Sequence, residues 1–232
     1  MDLLWTGLRD AGALLLVADP DVLRVALLSL QVSLGATLLA GLLGVPLGAA
    51  LAIRRFRGRA LANALVNTGM GLPPVVVGLV VTLFLWRTGP FGSLGLLYTP
   101  TAMALAQVVV ALPIVAGVTR GAVEMVDRNV LEALRADGAG GFVAGRELIR
   151  AAGAQVLIAV AAGFGRAISE VGASLMVGGN LLGQTRVLTT AITLETSRGD
   201  FARAIALGAI LLGLAFLVNG VLAWRARGVA WQ

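Results

Sequence analysis

"RVALLSLQVSLGATLLAGLLGVPLGAALAIRRFRGR", residues 24–59, carries no charge from 25 to 53 and then four arginines within six residues. Crossing the hydrocarbon core of a bilayer takes about 20 apolar residues, so the run spans a membrane. The arginine cluster marks the loop that follows it as cytoplasmic, because retained basic loops lie on that side. The chain before the run then lies outside. Three more charge-free runs follow, at 60–86, 88–119 and 204–224. Across all 232 residues the chain is 58% hydrophobic and 13% charged, where soluble domains carry about 25% charge. The reading is all-α, a polytopic helical membrane bundle in a single domain over 1–232.

Working outward from the first span at 24–53 gives four more, at about 61–86, 100–119, 152–177 and 204–224. Five spans with the N-terminus outside put the C-terminus, with Arg225 and Arg227, in the cytoplasm. Residues 2–18 are too short to span and read as a lateral helix on the membrane surface. The first residues have no basic region ahead of their apolar ones, and Asp2, Asp10, Asp19 and Asp21 flank the first span. They do not resemble a cleaved signal.

All 18 basic residues are arginine, and the net charge is +6. Cytoplasmic loops account for that charge through the same positive-inside bias, and no nucleic-acid partner is expected. With neither cysteine nor histidine in the chain, no zinc or haem site and no disulfide framework is expected.

The second span contains "GLPPVVVGLVV" (71–81). Pro73 and Pro74 each lack an N–H donor and crowd the preceding turn, so the pair kinks or breaks the helix. In a membrane a full break survives where protein or a polar path satisfies the freed carbonyls. Between the third and fourth spans lies a polar interval, 120–150, with five arginines and five acids. Its core, "VDRNVLEALRADGAGGFVAGRELIRAAG" (126–153), reads as helix, glycine turn at Gly138, Gly140 and Gly141, then helix. Too polar to insert and too short to fold alone, it suits docking into a partner's groove.

The fourth span carries "GFGRAISEVGASLMVGGN" (163–180), with an arginine and a glutamate where charge is costly. Arg166 and Glu170 are four apart and would share a face on a continuous helix. Two readings stand: a structural ion pair holding the bundle, or a polar lining of a translocation path with Arg166 facing an anion. Ser169 belongs to the same candidate set, and Gly172 would let a neighbouring backbone approach closely. Beyond it, Gly178, Gly179 and Asn180 form a flexible exit. "GQTRVLTTAI" (183–192) then brings Thr185 and Arg186 to the outer mouth, suited to a gate or a docking surface.

The spacing Glu132-Ala133-Leu134-x3-Gly138, with Leu148 ten residues on, resembles the EAA loop of ABC-importer permeases. "LIRAA" at 148–152 departs from the usual ending of that motif. The resemblance implies that 120–150 is a coupling loop in which Glu132 and Ala133 contact an ATPase and Gly138 makes the turn. Together with "SLQVSLGATLLAGLLGVPLGAALA" (29–52), "LPPVVVGLV" (72–80), the 163–180 stretch and "TRVLTTAITLETSRGDFARAIALG" (185–208), the chain resembles oxyanion importer permeases. The likeness is strongest to the tungstate branch and extends to molybdate permeases. It implies the type I importer permease fold in a bacterial cytoplasmic membrane, with two copies around one pore. Its implied partners are two ABC ATPase subunits and a periplasmic or lipid-anchored tungstate-binding protein. The chain would hold no cofactor; ATP and magnesium would sit on the ATPase, and no G-x-x-x-x-G-K-[ST] occurs here. Cargo alternatives are molybdate or, more distantly, sulfate. An intramembrane enzyme would want clustered carboxylates or histidines, and the spans contain one acid, Glu170.

Overall fold

The fold was read from a computed structural model, which describes Trp5, Arg9, Gly12, 20–54 and 56–229. The lateral helix expected over 2–18 falls outside these residues except at those three positions. Ten α-helices are formed among the described residues. They are α1 (Pro20–Ile53), α2 (Arg59–Met70), α3 (Pro74–Leu85), α4 (Pro100–Glu124), α5 (Arg128–Ala136), α6 (Gly141–Ala151), α7 (Gly153–Ile168), α8 (Gly172–Gly178), α9 (Leu188–Arg198) and α10 (Phe201–Val229). α1, α4 and α10 are each long and apolar enough to cross a membrane, and two bent pairs, α2 with α3 and α6 with α7, raise the number of candidate spans to five.

At Pro73 and Pro74 the chain does more than kink: α2 ends at Met70 and a separate helix, α3, starts at Pro74. Gly71 and Leu72 close α2 by bonding back to Thr68 and Gly69. Pro73 is extended (φ −63°, ψ 124°) and Pro74 opens α3, where a missing N–H costs nothing. The continuous fourth span read over 152–177 is corrected: α7 ends at Ile168 and α8 starts afresh at Gly172. No proline forces this break. The physical reason lies at Glu170, whose side chain takes over the start of α8.

The contacts divide the chain into two compact units. The first takes Met1–Gly35, Pro73–Gln107 and Ala167–Leu217. Its core joins Val32 of α1, Leu85 of α3, Met103 and Ala106 of α4, and Ala173 and Val177 of α8. α3 and α8 meet through glycine: a Cβ on Gly78 would lie 2.8 Å from the Ala173 Cα, and one on Gly172 would lie 2.9 Å from Val75 Cγ2. A second cluster packs Val25 of α1 and Leu188 and Ala191 of α9 on Leu207 of α10.

The second unit takes Ala36–Leu72, Val108–Arg166 and Val218–Gln232. Here α4 is the central element. Gly44 of α1 faces Val115, Gly48 faces Ala116 and Thr119, Gly69 of α2 faces Pro113, and Gly163 of α7 faces Val115. Where lipid removes the hydrophobic drive for helix association, such small residues let dispersion contacts form at close range.

Candidate coupling hairpin and membrane polar cluster

The interval after α4 is a helical hairpin in the second unit. Asp127 caps α5, its Oδ1 accepting from the Asn129 N–H at 2.9 Å. α5 runs nine residues and closes when Asp137 N–H donates to Ala133 O at 3.0 Å and Ala139 N–H to Leu134 O at 2.9 Å. Gly138 has φ +78°, the left-handed conformation that ends many helices and strains a side chain. Open space surrounds the position of its absent Cβ, so backbone conformation alone selects glycine there. α6 follows from Gly141.

α5 is strongly two-sided. Leu131 and Leu134 join Val126, Val123, Ala49 and Leu148 in a core cluster, while Glu132 and Ala133 are exposed. The helix therefore offers its Glu-Ala pair outward and is held from behind by leucine. Beside it opens a cleft of about 710 Å³ lined by Ile53, Arg59, Glu124, Asp127, Glu132 and Arg135, among others. The sequence reading missed Phe142. It stands in the first turn of α6 with 82% of its surface exposed. The available signal was an aromatic residue directly after the glycine turn of a polar hairpin. Exposed aromatics of this kind are common anchors of protein interfaces.

Ser169, Glu170 and Ser174 belong to the first unit, and Arg166 to the second. Glu170 is 1% exposed. Its Oε1 accepts the Ala173 N–H at 2.9 Å, and its backbone carbonyl accepts the Thr189 hydroxyl at 2.9 Å. A carboxylate at a helix start satisfies an otherwise orphaned donor and favours the positive end of the helix dipole. α7 ends two residues beyond Arg166, so the continuous helix assumed for Arg166 and Glu170 stops short of Glu170. Arg166 occupies the last turn of α7, and Ser169 sits exposed in the turn between the helices. Nearby on α8, Ser174 Oγ accepts from Gln107 Nε2 at 3.3 Å, and Gln107 Oε1 has no hydrogen-bond partner among the described residues.

After α8 the chain makes a braced loop. The Thr185 hydroxyl donates to Gly178 O at 2.5 Å and accepts from Leu181 N–H at 3.0 Å. Arg186 Nε donates to Asn180 Oδ1 at 3.3 Å and its Nη2 to Asn180 O at 3.4 Å. Asn180 itself is left-handed at φ +53°. Thr185, fully buried, thus spends its hydroxyl inside the loop, and Arg186 clamps the strained asparagine. The segment expected to be a flexible exit is tightly hydrogen-bonded. Tyr98, also left-handed at φ +64°, joins this loop through a bond from its N–H to Val177 O at 2.8 Å.

Comparison with known proteins places this glycine-packed helical bundle among membrane transport components. The family model described as the binding-protein-dependent transport system inner membrane component matches residues 44–231. A probable anion ABC transporter permease protein of Haloferax volcanii is 42% identical over 205 residues, covering 86% of this chain and 88% of that protein. The tungstate uptake system permease protein TupB of Peptoclostridium acidaminophilum is 40% identical over 222 residues, 96% of this chain and 97% of that protein. Among solved structures, the MetNI methionine ABC transporter in inward-facing conformations shares the fold. The TM-score is 0.72 at 18% identity, over 90% of this chain and 95% of that one. The chain therefore belongs to the family of binding-protein-dependent ABC transport inner membrane components, permease subunits that work with a separate ATPase and a binding protein.

Proposed function

We propose that the chain is the membrane permease of a tungstate importer in a bacterial cytoplasmic membrane. The observation that carries the reading is the 40% identity to a tungstate uptake permease over 96% of the chain. Two copies pair around one pore, since five spans make half of such a machine. α10 is exposed on opposite sides, through Leu212 and Phe216 on one and Val221 on the other, and is available to lipid or to the second copy. The arginine-rich loop at 54–59 and the coupling hairpin face the cytoplasm, and the Thr185–Arg186 loop faces outward toward the binding protein. This chain binds no cofactor; ATP and magnesium belong to the two ATPase subunits. ATP-driven closure of those subunits draws the two hairpins together and turns the pore outward, a rigid-body transition between two packings.

Tungsten accumulation by cells expressing this chain with its ATPase and binding protein tests the cargo. Accumulation that persists in excess molybdate and sulfate is expected. Equal displacement by molybdate would favour a broader oxyanion permease. That second reading is supported by the 42% identity to a permease named only for anions.

Two substitutions test the hairpin. Glu132→Ala is expected to leave the bundle folded and to lower uptake roughly tenfold, an ordinary size for coupling between two sites. Phe142→Ala is expected to weaken ATPase binding by about 2 kcal/mol, the usual loss for an aromatic anchor, as read by co-purification or calorimetry. Arg166→Ala separates the two readings of the fourth span. Lowered transport with normal subunit levels favours a path residue, whereas loss of the subunit favours a structural one.

A further inference from the structure

Arg59 opens α2 and reaches back to two other helices. Its Nε donates to Leu51 O at 2.7 Å and its Nη2 to Ala52 O at 3.3 Å, both in the last turn of α1. The same Nη2 lies 3.2 Å from Glu124 Oε1, on the final residue of α4. The last carbonyls of a helix have no partners of their own, and they carry the negative end of its dipole. α1 has no basic residue in its last turn, and Arg59 supplies that cation from the next helix. Three residues past Glu124, Asp127 caps the coupling hairpin, and Arg59 and Glu124 line the cleft beside Glu132.

We infer that Arg59 is a positioning residue that couples the hairpin to the bundle, locking the end of α1 to the end of α4 so that hairpin displacement moves both. The inference rests on the permease reading above. Arg59 is 32% exposed and Glu124 44%, and ion pairs so open to water add little stability. The consequence is geometric. A planar guanidinium holds two carbonyls and a carboxylate in one fork, which an ammonium group cannot reproduce.

The chain contains no cysteine, so Leu47→Cys on α1 can carry a single environment-sensitive fluorophore. It would be used in the complex reconstituted with ATPase and binding protein, with ATP and vanadate as the trigger and tungstate as the transported probe. The parent is expected to show an ATP-dependent fluorescence change. In Arg59→Gln, hydrolysis is expected to persist while that change is lost and tungstate uptake per ATP falls roughly tenfold. Arg59→Lys, which keeps the charge without the fork, is expected to show the same split more mildly. It also serves as the test should the glutamine variant fail to accumulate. A parent without a fluorescence response, an unchanged response in the variants, or uptake and hydrolysis falling in parallel would overturn the inference. A parent that hydrolyses ATP and takes up no tungstate would count against the cargo alone, and the fluorescence response would then decide the role of Arg59.

Discussion

Gly48→Ala is expected to remove most folded subunit from the membrane, while Gly35→Ala on the same helix leaves its level unchanged or raised. At Gly48 a methyl group would collide with the carbonyl oxygen of Ala116, and it would lie 2.9 Å from Thr119 Cβ and 3.0 Å from Arg120 N. Two of these obstacles are backbone atoms of α4, which cannot rotate away. The helices must separate, and overpacking of this kind costs about 1–3 kcal/mol or more. That is a large share of a typical total stability of roughly 5–15 kcal/mol. Gly35 has open space where its Cβ would be, and alanine there gains helix propensity of about 1 kcal/mol. Yield and melting temperature of detergent-purified subunit measure both. Equal behaviour of the two variants would mean that α1 and α4 do not cross at Gly48.

The second large effect is expected at Glu170. Replacing it with alanine removes the acceptor from the Ala173 N–H inside a fully buried site. A hydrogen bond to a charged group contributes roughly 1.5–3 kcal/mol, and an orphaned buried donor adds its own desolvation cost. Glu170→Ala is expected to lower the melting temperature by several degrees. Glu170→Gln, which keeps an acceptor oxygen at the same reach, is expected to lower it by less. Equal losses in the two variants would assign the effect to the charge and not to the cap. No loss in either would remove Glu170 from the start of α8.

These two sites also show what the sequence could and could not disclose. α1 was legible because a run of 25–53 without charge, ended by arginines, has one physical solution in a bilayer. The break at Pro73–Pro74 was legible because proline acts locally, through its own ring and missing donor. The break after Ile168 was not. "RAISEVGAS" (166–174) has no proline, and the helix is interrupted by a side chain that captures a donor three residues on. Such a choice depends on surroundings that the spacing of residues does not encode. The glycines at 44 and 48 were visible as small residues, but their partners on α4 lie some 70 positions away. The polar helical hairpin after α4 was readable in outline from its charge and its glycine turn. The outward placement of Glu132 and Ala133 follows from Leu131 and Leu134 facing the core. Phe142 escaped notice because an isolated aromatic gives no periodic signal, and its exposure appears only once α6 is folded. Thr185 and Arg186 were chosen for their chemistry. Folding spends much of that chemistry on bracing the loop around Asn180.

The most direct measurement is import into proteoliposomes that hold this chain with its ATPase, with ATP enclosed and binding protein carrying labelled tungstate outside. Accumulation that requires enclosed ATP and binding protein, and that falls with Glu132→Ala while the complex stays assembled, is the expected result. Label that equilibrates without ATP, or no uptake of any oxyanion by the complete assembly, would contradict an ATP-coupled oxyanion permease.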